Sequence, residues 1–204
     1  MRNEKKFHFG KGNAKLGSNI LVWDLPRLKT CPMAGICKEF CYEIKTERMY
    51  KSVLPCRERN LAFTKRKEFV PEVVTFLNKR KETLVRIHSS GDMYSETYFE
   101  KWKEIARRCP TKQFYCYTKS CGLFDVVNNL PSNLIMIQSN GSKRDERINL
   151  KGNTARVIEH EEECQRDETI CPVRPPYKLA CGKDCMICQN PKQNGKIHVC
   201  FLKH

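Results

Sequence analysis

The sequence predicts an α/β fold: a partial (βα) barrel or an open parallel sheet, carrying a cysteine-rich metal-binding appendage at its C-terminal end. Three observations point there. Short apolar or β-branched runs alternate with amphipathic stretches between residues 19 and 141. The turns that close those runs are rich in Gly, Ser and Asn. Beyond residue 160 the apolar periodicity fades while cysteine becomes dense, with six of the chain's 13 cysteines in residues 160–204.

The first extended run is Asn19-Ile20-Leu21-Val22-Trp23, followed by a loop bearing Pro and Cys from Pro26 to Cys41. From Arg57 to Lys81 apolar residues recur among many cations, which suits an amphipathic helix broken or restarted near Pro71. Thr83 to His88 reads as a second strand closed by Ser89-Ser90-Gly91-Asp92. Ser95 and Glu96 cap a helix whose apolar face is Tyr98, Phe99, Trp102, Ile105 and Ala106, ending before Pro110. Gln113 to Thr118 is the next strand, Phe124 to Leu130 a short helical stretch, and Leu134 to Gln138 another strand ending at Ser139-Asn140-Gly141. Strands joined by helical segments imply parallel crossovers, with the loops after the strands on one functional rim. The expected division is an α/β core over residues 1–150 and the metal-binding appendage over 151–204.

Composition narrows the function. At 40% hydrophobic and 30% charged, the 204-residue chain has globular composition. Met1 to Gly10 has no apolar core of a secretory signal, and no run of apolar residues is long enough to span a bilayer. A cytoplasmic protein with no membrane partner is therefore expected. In a reducing compartment structural disulfides are rare, so metal or iron–sulfur ligation is the leading use of the cysteines. The 38 Lys and Arg against 23 Asp and Glu leave a formal charge of +15, which favours a polyanionic partner such as nucleic acid or a nucleotide. No RNA-recognition signature, paired-histidine zinc finger or P-loop is present.

Two cysteine constellations carry the chemistry. Cys171, Cys181, Cys185 and Cys188 form a quartet suited to tetrahedral zinc or a second iron–sulfur cluster, between which spacing does not choose. Cys164 and Cys200 lie near it in sequence. Cys31, Cys37 and Cys41 occupy the loop after the first strand, and three protein ligands leave one metal position open, as catalytic centres do. Cys56 can close that site with a fourth thiolate, or the group holds no metal. Cys109 and Cys116 read as small buried apolar residues; Cys121 has no assigned role. His88 and Asp92, at the end of the second strand, suit proton transfer, metal ligation or holding a cofactor amine; otherwise Asp92 caps a turn and His88 is a bonded core residue. Thr118, Lys119 and Ser120, then Gln138, Ser139 and Asn140, end the next two strands and point to one shared pocket.

Thr30-Cys31-Pro32 to Cys41-Tyr42, Val85 to Ser95, Phe114 to Ser120 and the terminal cysteine quartet together resemble the gene product eighty-eight domain family of phages and mobile elements. This resemblance covers most of the chain and implies a phage protein in the host cytoplasm. More distantly, the layout is similar to radical S-adenosylmethionine enzymes. That similarity implies a 4Fe-4S cluster on Cys31, Cys37 and Cys41, and S-adenosylmethionine held by Ser89, Ser90, Gly91 and Asp92. The intervals between the three cysteines, five and three residues, are longer than those enzymes use. The expected function is an iron–sulfur enzyme of this kind acting on nucleic acid or a nucleotide, with His88 and Asp92 catalytic and Thr118, Lys119, Ser139 and Asn140 completing the cofactor pocket. The alternatives are a zinc- or cluster-stabilised protein that binds nucleic acid, or one that binds a host protein.

Overall fold

The computed structural model describes residues 6–176, 178–190 and 195–203. Its strands are β1 (Gly10–Lys11), β2 (Ile20–Trp23), β3 (Leu84–Ile87), β4 (Gln113–Thr118), β5 (Leu134–Ser139), β6 (Thr154–Ile158), β7 (Thr169–Ile170) and β8 (His198–Leu202). Its helices are α1 (Glu43–Met49), α2 (Val53–Thr64), α3 (Phe69–Asn78) and α4 (Glu96–Arg108). The strands form one sheet in the order β1-β2-β3-β4-β5-β6-β8-β7. β1 runs antiparallel and every other pairing is parallel. The sheet is open among the described residues, with β1 and β7 at its edges.

Strand alternation divides the core into two layers. Leu21, Trp23, Val85, Ile87, Phe114 and Cys116 face α2, α3 and α4, where Trp23, Phe69, Tyr98 and Trp102 pack ring against ring. The Trp23 indole donates to the Tyr98 hydroxyl at 3.0 Å, which pairs the polar groups that these two rings bring inside. Ile20, Val22, Leu84, Tyr115, Ile135 and Ile137 face the other way, and there the cysteine-rich segment covers them through Cys171, Cys181, Met186 and Cys188. A sheet whose strands are buried on both faces reads as apolar runs, as β2 and β5 do.

The expected helix near Arg57 to Lys81 is two helices, broken at residues 65–68, and Pro71 sits in the first turn of α3, where its missing N–H costs nothing. Phe124 to Leu130 forms no helix. The Asp125 carboxylate instead accepts from the amides of Val127 and Asn128 at 2.9 and 3.1 Å, a local turn that competes with helix formation. Beyond residue 150, β6, β7 and β8 continue the sheet in parallel register, Gln138 of β5 facing Thr154 and Ile158 of β6 facing Leu202. No helix among the described residues is long and apolar enough to cross a membrane.

Candidate functional site

Parallel pairing brings the carboxyl ends of β2 through β6 to one edge, and the loops that follow them are stitched together there. Asp24, next after β2, accepts from the Ser89 amide at 2.7 Å, the Ser89 hydroxyl at 2.8 Å and the Ser90 amide at 2.9 Å. Ser90 Oγ donates to the Leu25 carbonyl at 2.9 Å. Gly91 has φ +85°, and a Cβ there would stand 2.6 Å from Thr30 Oγ1, so only glycine fits between the two loops. The cysteine loop then crosses to the loop after β5: Gly35 N donates to the Gly141 carbonyl and Lys143 N to the Met33 carbonyl, at 3.1 and 3.0 Å. A Cβ on Gly35 would lie 2.6 Å from the Ser142 carbonyl oxygen, which makes that crossing glycine-dependent as well.

This path brings Cys31, Cys37 and Cys41 into electrostatic reach of one another. Burial pushes the Cys31 thiol up to about 12, and Asp92, Cys37 and Cys41 add to the rise. Burial also raises Cys37, Cys41 and Asp92 reinforcing it and Lys119 opposing it. A positively charged metal centre in their midst would reverse that balance, because thiolates rather than thiols are the ligands. Cys56 lies on α2 and lines the neighbouring cavity.

The polar residues expected on this rim divide into ties and cavity wall. Asp92 is buried; its carboxylate accepts from Met93 N and Thr118 Oγ1 at 2.7 and 2.6 Å on one oxygen and from Lys119 N at 2.8 Å on the other. Burial raises its pKa while these three bonds pull it down. Ser120 is buried too, its hydroxyl donating to the Met93 carbonyl at 2.7 Å. Lys119 Nζ reaches Ser139 Oγ at 2.7 Å, and both residues line the cavity. Asn140 is held through its amide, which donates to the Ala155 carbonyl at 2.9 Å. The Gln138 side chain holds the 149–153 turn, accepting from Asn149 N and donating to its carbonyl.

His88 has φ +66°, and its ring enters the helix-side core. Nε2 lies 3.0 Å from the Tyr98 hydroxyl and Nδ1 3.8 Å from Cys116 Sγ. The Tyr98 hydroxyl also accepts from Trp23, so it joins the indole to the imidazole within the buried helix-side core. Burial and then the Arg86 charge hold this histidine neutral, its pKa lowered to about 3.

A cavity of about 1080 Å³ opens on the other face of the sheet. Arg86, Tyr115 and Tyr117 form its floor and the quartet Cys171, Cys181, Cys185 and Cys188 its far wall. Cys181 N and Gly182 N donate to the carbonyls of Lys15 and Leu16, docking the quartet loop on the strand-side core. The Tyr117 hydroxyl donates to Cys188 Sγ at 2.8 Å, and the Arg86 guanidinium lies 5.4 Å from the Tyr117 ring centre. Burial raises Cys181 to about 11 and Cys188 to about 12, each raised further by its neighbouring cysteines; Arg86 and Lys15 pull Cys181 the other way. Two cations thus stand close enough to favour the thiolate form of Cys181, and these the residue types alone did not reveal.

Spacing separates the cysteine groups. Sulfurs about one tetrahedral zinc lie about 3.8 Å apart. Among the described residues, the group of three or more donor side chains gathered within 4.8 Å of one another is Cys164, Glu168 and Cys200. Neither the trio Cys31, Cys37 and Cys41 nor the quartet Cys171, Cys181, Cys185 and Cys188 forms such a group.

Comparison with known proteins agrees with the resemblance to the gene product eighty-eight family. The chain is 33% identical over 121 residues to the Gene 88 protein of Mycobacterium phage L5, covering 53% of this chain and 51% of that protein. It is 31% identical over 121 residues to the Gene 88 protein of Mycobacterium phage D29, covering 53% and 50%. The chain thus spans about half the length of the curated relatives it matches. No solved structure matches significantly. The pattern of the Gene product 88 family fits residues 3–201, from before β1 into β8, and the chain belongs to that phage protein family.

Proposed function

We propose that this protein is an iron–sulfur enzyme, resembling the radical S-adenosylmethionine enzymes, that acts on a nucleotide or nucleic acid in the host cytoplasm. One observation carries the reading: three cysteines of one loop, Cys31, Cys37 and Cys41, lie within electrostatic reach of one another, of Asp92 and of Lys119 at the carboxyl edge of a parallel sheet. A four-iron cluster with one iron free of protein thiolate supplies one-electron reduction of a bound cofactor. In this reading Ser90 and Asp92 keep the loops in register through their hydrogen bonds, while Asp24, Ser89 and Gly91 line the cavity where the cofactor is held. Lys119 and Ser139 face the cavity and are placed to meet anionic groups of cofactor or substrate. The quartet at the far wall takes a second cluster, its charge balanced by Arg86 and Lys15. The formal charge of +15 favours a phosphate-bearing substrate.

Anaerobic reconstitution with iron and sulfide tests this. The wild-type chain is expected to become brown and bind about eight irons, four at each cysteine group. The triple variant C31S/C37S/C41S is expected to lose about half of them, and S-adenosylmethionine to alter the paramagnetic signal of the reduced wild-type protein alone. Zinc at both cysteine groups, with no iron taken up, would overturn the enzyme reading and leave a metal-stapled binding protein.

A further inference from the structure

The gathered donors Cys164, Glu168 and Cys200 lie outside both cysteine groups discussed so far. Cys200 is fully buried on β8, between Val199 and Phe201. Val199 packs in the strand-side core and Phe201 lines the cavity, so strand alternation turns Cys200 to the opposite face. Cys164 follows the helical turn Glu161–Glu163, and Glu168 precedes β7. Three interactions hold the loop between them. Arg156, paired with Cys200 across β6 and β8, grips Glu168 through Nε and Nη2 at 2.7 Å each. Its Nη2 also donates to the Glu163 carbonyl at 2.5 Å, and Gln165 N donates to Glu168 at 2.8 Å.

We propose that Cys164, Cys200 and Glu168 form a single-ion site for a divalent metal of the zinc type, separate from the cluster groups and independent of the proposed enzyme activity. The donor atoms already lie within 4.8 Å of one another, and a contraction of about 1 Å brings the sulfurs to zinc spacing. Two thiolates and a carboxylate around a dication carry a net charge of −1, which the Arg156 guanidinium cancels from behind Glu168; a monovalent ion would leave a second negative charge unmatched. Arg156 also fixes the carboxylate that the ion meets, as outer partners do in metal sites. Binding displaces one proton from each thiol, and the fourth position is left to water. The site would lock the β6–β8–β7 edge, where Cys171 N donates to the Cys200 carbonyl at 2.8 Å, and so steady the strand that leads into the quartet.

The test uses the full chain, purified anaerobically, with zinc and cobalt(II) as probes. Wild type is expected to retain about one zinc more than C164S/C200S, with iron uptake compared separately. Cobalt(II) is expected to give thiolate-to-metal charge-transfer absorption in wild type that the double variant lacks, and E168Q to weaken cobalt binding about tenfold. Should the double variant fold poorly, alkylation of the wild type decides: Cys164 and Cys200 are expected to be protected with zinc bound and reactive after chelation. Equal metal content in both proteins, no protection by zinc, or a Cys164–Cys200 disulfide in the anaerobic protein would overturn the site.

Discussion

Arg57 and His88 illustrate how single buried groups tie the rim to the core. Arg57 lies among Glu43 at 2.5 Å, Glu47 at 3.2 Å and Asp24 at 3.6 Å, and Asp24 in turn holds Ser89 and Ser90. Arg57 and Glu43 are both buried. Removing the cation leaves carboxylates in a low-dielectric site without compensation, so R57M is expected to cost about 3–5 kcal/mol in denaturant unfolding. A loss under about 1 kcal/mol would show that solvent reaches the network. For His88 the sign follows from its lowered pKa of about 3 against 6.5 in an unfolded chain. Above pH 6.5 the imidazole is neutral in both states and adds no pH dependence. As pH falls from 6.5 toward 3 the unfolded chain takes a proton that the folded one refuses, and stability drops by up to about 1.4 kcal/mol per pH unit. H88N, which tolerates the positive φ, is expected to lose less stability than wild type between neutral pH and pH 5. Parallel losses in the two proteins would contradict this account.

At the scale of elements, α4 was the most legible and the chain after residue 150 the least. The helix starts at Ser95, whose hydroxyl accepts from Tyr98 N at 3.3 Å, and its buried face is Tyr98, Phe99, Trp102, Ile105 and Ala106. S95A is expected to lower stability by about 1 kcal/mol, measured by thermal unfolding; an unchanged midpoint would mean the cap contributes nothing beyond packing. Strands β2 through β5 announced themselves because apolar runs bounded by Gly, Ser and Pro are local signals. β6 and β8 did not: Thr154–Ile158 carries Arg156 within it, His198–Leu202 is a short apolar run behind the cysteine-rich segment, and their pairing is with each other across some forty intervening positions. Phe124 to Leu130 misled for the complementary reason, since the Asp125 side chain captures backbone amides that a helix would have used.

For the whole molecule, charge and cysteine placement set the expectations. With a formal +15, binding to a single-stranded oligonucleotide is expected to weaken steeply between low and physiological salt, on a log–log slope reflecting several phosphates. Salt-insensitive binding, or none, would count against a nucleic-acid substrate and favour a small nucleotide or a host protein. The sequence by itself determined the α/β fold class and the family, because periodicity and short motifs are properties of neighbouring residues. Tertiary structure alone decided that Asp92 is a tie between loops, that His88 faces the helices, that Arg86 and Lys15 stand against the quartet, and that Cys164, Glu168 and Cys200 meet. Those outcomes depend on which strands pair and which way each side chain turns, and such contacts join residues far apart in the chain.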